Sequence, residues 1–221
     1  MKSYDEIISL GSNCNIGLAL RELDLKTETY PFDWVRSNAK IIEYILHFDC
    51  DGYMKFNNTL ISDDYFLKHL HSFIHPNFPN THINEFGQHF THHTHVHPKE
   101  LRNIIQRQFT RFFSVLNSDK KILFLHCNEE FIYHEKSRNQ RDVLYEHLCN
   151  IANFIVTNYP LLQFDIVNMD IYDDYKKQEK IKNIKINYEL HLSNNGETHT
   201  EEYYKPYREE VTKAIRSFLE D

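Results

Sequence analysis

A chain of 221 residues with 41% apolar and 14% aromatic content can bury a substantial core, which predicts one globular domain over residues 1–221. The formal charge of −7 provides no basic field to draw a phosphate backbone, so nucleic acid is not expected as a partner. No segment has the apolar length of a membrane span, and the acidic start Met1-Lys2-Ser3-Tyr4-Asp5-Glu6 precedes an apolar run too short for a signal-peptide core.

Cys14, Cys50, Cys127 and Cys149 lie far apart in a chain with no secretory signal, which predicts reduced thiols in a cytoplasmic protein. Ile7 to Leu10 is a short apolar run between charge and Gly11-Ser12-Asn13, the pattern of a buried strand ending in a turn. A helix is expected to begin near Cys14, with Ile16, Leu18, Ala19, Leu20 and Leu23 apolar and Arg21 and Glu22 on the wetter side. From about residue 48 to residue 98 the period is poor. Nine of the fifteen histidines fall there, from His69 to His97, and the stretch is expected to fold as a lid-like insertion of loops and short helices over a sheet edge.

Pro98 then opens an amphipathic helix marked by Leu101, Ile104, Ile105, Phe109, Phe112, Phe113 and Leu116. Ile122 to Leu125 reads as a strand, Val143 to Ile155 as a helix and Phe164 to Val167 as a strand, with Ile184, Ile186 and Tyr188 as one more. A last helix carries Tyr203, Tyr204, Tyr207, Val211, Ala214, Ile215, Phe218 and Leu219 on one face. Strands alternating with long helices predict an α/β fold, a mainly parallel sheet covered by helices on both faces. Ligands of such sheets gather at the carboxyl ends of the strands, where Cys14 and His126 each follow one.

A thiol in the first turn of a helix meets unpaired backbone N–H groups and the positive end of the helix dipole, which favour thiolate. Cys14 is therefore the candidate nucleophile, and those N–H groups with the amide of Asn13 or Asn15 could hold an oxyanion. The plainer reading has Ser12 capping the helix and Cys14 filling core. Ser12 is itself a second candidate nucleophile, since esterases of the Gly-Asp-Ser type also place a serine just after the first strand.

The run Ser9-Leu10-Gly11-Ser12-Asn13-Cys14, then Leu20-Arg21, then Pro31-Phe32-Asp33-Trp34, resembles an uncharacterised family of papain-like cysteine peptidases. The order of a histidine-bearing segment, Phe90-Thr91-His92-His93, a basic aromatic helix over Arg107 to Phe113 and an apolar strand from Lys121 to Leu125 is similar too. The resemblance implies an active cysteine more than it implies peptide cleavage. A more distant similarity to capsule-polysaccharide acetyltransferases implies the same thiolate, base and oxyanion hole serving acyl transfer.

A thiolate needs an imidazole as base and a polar group to orient it. His92 and His93 are favoured by the family-like order; His126 ends a strand at the same sheet edge; His199, in Asn195-Gly196-Glu197-Thr198-His199, resembles the closing box of Gly-Asp-Ser esterases with Glu197 or Asn195 as orienting group. Asp33 reads as structural, bonding backbone of the loop after the first helix, with Trp34 in the core. His93, His95 and His97 alternate, so on an extended segment they would face one side as zinc, copper or nickel ligands can; a metal- or glycan-binding protein with an inert Cys14 is the competing reading. No cofactor is expected, and the substrate stays open among small molecules, peptides and glycans.

Overall fold

The computed structural model describes residues 2–11, 14–35, 38–48, 82–83, 89–90, 98–127, 138–187 and 201–221. In chain order these form β1 (Glu6–Ser9), α1 (Cys14–Glu22), α2 (Ala39–Phe48), β2 (His82–Ile83), β3 (His89–Phe90), α3 (Pro98–Leu116), β4 (Lys121–Cys127), α4 (Arg138–Asn158), β5 (Gln163–Asp170), β6 (Ile181–Lys185) and α5 (Glu201–Glu220). Four strands make one parallel sheet in the order β1-β4-β5-β6, while β2 and β3 pair antiparallel by themselves. The rest of the histidine-rich stretch expected as a lid lies outside the described residues.

Strand alternation sorts the sheet side chains into two cores. Ile8, Ile122, Phe124, Phe164, Ile166 and Ile181 point to one face, where Ile42, Ile45 and Leu46 of α2, Phe109, Phe112 and Leu116 of α3 and Leu148, Ile151 and Ile155 of α4 cover them. Leu123, Leu125, Cys127, Val167 and Met169 point to the other, under Ile16, Ala19 and Leu20 of α1 and Tyr207, Val211, Ile215 and Phe218 of α5. Each fully buried Leu, Ile or Phe contributes about 1.5–3 kcal/mol relative to exposure, so this two-faced burial drives the architecture. The α/β class with helices on both faces is as the alternation of elements predicts.

Local signals set several boundaries. Asn38 caps α2, its Oδ1 accepting the Ile41 N–H at 3.0 Å, and Ile42, Ile45 and Leu46 then fall on one helical face. Two expectations need correction. Val143, placed on the apolar face of α4, is half exposed, because the buried stripe runs through Leu144, Leu148, Ile151 and Ile155 instead. The last strand is Ile181–Lys185, beginning at the buried Ile181 and ending before Ile186, while Tyr188 lies outside the described residues. Among the described residues no helix is long and apolar enough to cross a membrane.

Candidate functional site at the carboxyl edge of the sheet

β1 feeds directly into the turn that precedes Cys14. Ladder bonding continues beyond the strand: Leu10 N–H donates to the Leu125 carbonyl at 2.7 Å and Cys127 N–H to the Gly11 carbonyl at 3.0 Å. Gly11 has φ of 86°, a left-handed conformation costly for any residue with a Cβ, and its N–H donates to Ser9 Oγ at 3.1 Å. The chain is thus turned out of the sheet at the carboxyl end of β1, and α1 begins at Cys14, as expected from the sequence. Cys14 is partly exposed, whereas Cys127 is buried and burial pushes the Cys149 thiol up.

The turn after α1 packs back against that helix. Asp33 is fully buried; its Oδ2 accepts the Tyr30 N–H at 2.6 Å and pairs with Lys26 Nζ at 2.5 Å. Its structural role is therefore the one expected, closing the loop after α1. Trp34 is only half-buried, not core as expected: the Arg21 guanidinium lies 4.5 Å from its ring centroid and Lys26 Nζ 5.9 Å, so the indole serves as a cation platform. Gly17 allows the approach, because a Cβ there would stand 3.2 Å from the Asp33 carbonyl oxygen.

On the sheet face opposite α1 lies a buried polar row. His126, Asn168 and Asn183 are neighbours across β4, β5 and β6. His126 Nδ1 lies 3.2 Å from Asn168 Oδ1, Asn168 Nδ2 donates to Asn183 Oδ1 at 3.0 Å, Asn183 Nδ2 donates to the Tyr145 hydroxyl at 3.2 Å, and that hydroxyl donates to the Lys176 carbonyl at 2.7 Å. A carbonyl only accepts, so the direction of every bond is set from that end. Tyr145 must donate to it, and each amide must present its oxygen toward the sheet's β1 side. His126 is left facing an oxygen, so Nδ1 carries a proton.

Asp170 ends β5 beside this row. Its Oδ1 accepts from Arg141 Nη1 and from the Ile171 N–H, each at 2.6 Å, and its Oδ2 accepts a short bond from Tyr175, whose ring stacks on Tyr145 at 4.4 Å. These polar residues were not singled out in the sequence, where β5 was expected to end at Val167. The signal was Asn168 and Asp170 at alternate positions, continuing the inward face of Phe164 and Ile166.

Replacing Asn168 by Leu removes the amide partner of the His126 ring and of Asn183 Oδ1, with an expected loss of about 1–3 kcal/mol in urea unfolding for each hydrogen bond lost. In long-range proton–nitrogen spectra the wild-type His126 ring should show a protonated Nδ1. An unprotonated Nδ1 would mean that the row runs in the opposite sense.

Among the sequence candidates, Cys14 and His126 are described, and both stand at the carboxyl edge of the sheet, with α1 on one face and the His126 row on the other. Ser12, Asn13, His92, His93, His95, His97 and His199 lie outside the described residues.

An uncharacterised protein of Acanthamoeba polyphaga mimivirus is 30% identical over 169 residues, covering 70% of this chain and 75% of that protein. No solved structure matches the chain. Residues 5–174, which include β1, the Cys14 turn, the Pro31-Phe32-Asp33-Trp34 box and β4, match the profile of a family described as "Putative papain-like cysteine peptidase". That match covers most of the chain, and the protein belongs to this family.

Proposed function

We propose that the protein is a cysteine hydrolase in which Cys14 attacks a carbonyl carbon and an imidazole of the His92–His93 pair acts as base. The observation that supports it most directly is that Cys14 opens α1 immediately after the Gly11 turn, within the residues matched to the family. The first-turn N–H groups of α1 favour a thiolate and suit an oxyanion. The Cys14 proton passes to the imidazole as the S–C bond forms, and the carbonyl becomes an oxyanion. Collapse expels the leaving group, which takes that proton, and water then hydrolyses the acyl-enzyme. An alcohol replacing water at the second step would make the same site an acyltransferase.

His126 is the less suitable base. Its ring belongs to the sheet face opposite α1, covered by α3 and α4, and it is only 1% exposed.

Iodoacetamide at pH 7 is expected to alkylate Cys14 at least about ten times faster than Cys127 or Cys149, and substituting both His92 and His93 by Ala should slow it. Equal labelling of the cysteines, read by peptide mass spectrometry, would defeat the nucleophile assignment. A slowing by His126→Ala alone would transfer the base to His126.

A further inference from the structure

We propose that the buried Lys26–Asp33 pair, held against α1 by the Pro31-Phe32-Asp33-Trp34 turn, is a positioning element that sets the electrostatic field at Cys14. This rests on Cys14 being the reactive thiol.

The geometry begins with Gly17. Residues three apart on a helix share a face with about 5–6 Å between Cβ positions, so Gly17 lies directly beneath Cys14, one turn along α1. A Cβ built on Gly17 would be 3.7 Å from Asp33 Oδ1. The carboxylate therefore packs against the face of α1 that carries the thiol. Asp33 is wholly buried, Oδ1 has no hydrogen-bond partner among the described residues, and only Oδ2 is engaged, by Lys26 and the Tyr30 N–H. A surface ion pair would be screened and would exert little field one turn away. Here the side chains of Lys26 and Asp33 are only 7% and 1% exposed, so a change in either charge is transmitted through protein rather than water.

The groups facing the pair are few. Arg21 of α1 lies over Trp34 and adds positive charge, and burial pushes the Asp33 carboxyl up against the opposing pull of Lys26, the Tyr30 N–H and Arg21. On the α5 side, Arg208 pairs with Glu22 at 2.7 Å at the carboxyl end of α1, far from its first turn. On the sheet side, His126 faces away into the Asn168 row. The Lys26–Asp33 pair is thus the buried charge arrangement packed on the Cys14 face of α1 among the described residues.

The sign of each charge change follows. Removing the carboxylate strands an ammonium, which favours thiolate; removing the ammonium strands a carboxylate, which disfavours it. The test is the pH midpoint of Cys14 alkylation by iodoacetamide, followed by mass spectrometry in the full-length protein. Asp33→Asn should lower that midpoint by on the order of one pH unit, and Lys26→Met should raise it by less, because proton uptake relieves part of the stranded charge. The double variant, neutral and nearly isosteric, should return to the wild-type midpoint. If Asp33→Asn does not fold, as judged by circular dichroism, the Lys26→Met rise and the return in the double variant carry the test.

Opposed shifts that cancel are the signature of a field; a purely structural clamp would move both single variants in the same direction. An unmoved midpoint in every folded variant, or a fall with Lys26→Met, overturns the proposal. The readout is a difference between variants, so it is separate from the nucleophile assignment: that assignment fails if wild-type Cys14 reacts no faster than Cys127 or Cys149.

Discussion

Asp170→Ala is expected to lower the unfolding free energy by about 3–5 kcal/mol, the usual consequence of removing one partner of a buried ion pair. Arg141 would keep its charge at 7% exposure with Asp170 gone, and Tyr175 and the Ile171 N–H would lose their acceptor as well. The attraction between the two ions is not the main term, since much of it is offset by taking both out of water. The large effect comes from the buried network losing its carboxylate, with the Arg141 guanidinium losing its 2.6 Å ion-pair partner. A double replacement, Asp170→Leu with Arg141→Met, should accordingly recover most of the loss. Urea midpoints decide it: a single-variant loss under about 1 kcal/mol would mean that Arg141 reaches solvent when released.

Phe112→Ala is the second large effect, also about 3–5 kcal/mol. Phe112 is fully buried and its ring meets Phe32 at 5.5 Å, Phe113 at 5.6 Å and Phe124 at 6.3 Å. It therefore joins the tryptophan-box turn to the middle of the sheet. The cavity left by its loss opens directly beneath Phe32, one residue before Asp33, so the destabilisation should be accompanied by altered Cys14 alkylation. Phe112→Leu, which fills most of that space, should cost much less and leave alkylation unchanged. Equal costs for Ala and Leu would indicate that the rings do not interlock as described.

The sequence was most legible where periodicity and burial coincide. The helix over Pro98–Leu116 and the apolar centres of β4 and β5 were readable because an apolar residue recurs every third or fourth position, buried at Ile105, Phe109, Phe112 and Leu116, or runs unbroken. The start of α1 at Cys14 was legible from turn chemistry, Gly11 being the residue that a left-handed φ requires. The ends of β4 and β5 were not, because His126, Asn168 and Asp170 look like strand terminators until their partners are known. Those partners, Asn183 of β6 and Tyr145 and Arg141 of α4, come from other elements than β4 and β5, and no local pattern announces a bond between residues 42 positions apart such as His126 and Asn168. Trp34 misled for a related reason: its exposure is decided by Arg21 and Lys26, cations whose approach to the ring is a tertiary fact.

The pairing of β1 with β4, Glu6 opposite Ile122 and Ser9 opposite Leu125, has a consequence during synthesis. At roughly 5–20 residues per second, a nascent chain needs about 6–23 s after Ser9 is made before Leu125 exists to receive it. Throughout that interval the Gly11 turn has no ladder to fix it, so Cys14 emerges from the ribosome as an ordinary thiol. Under the proposed function, the reactivity of Cys14 waits for the arrival of the middle of the chain. A release of truncated product before β4 would leave the cysteine present and its environment unbuilt.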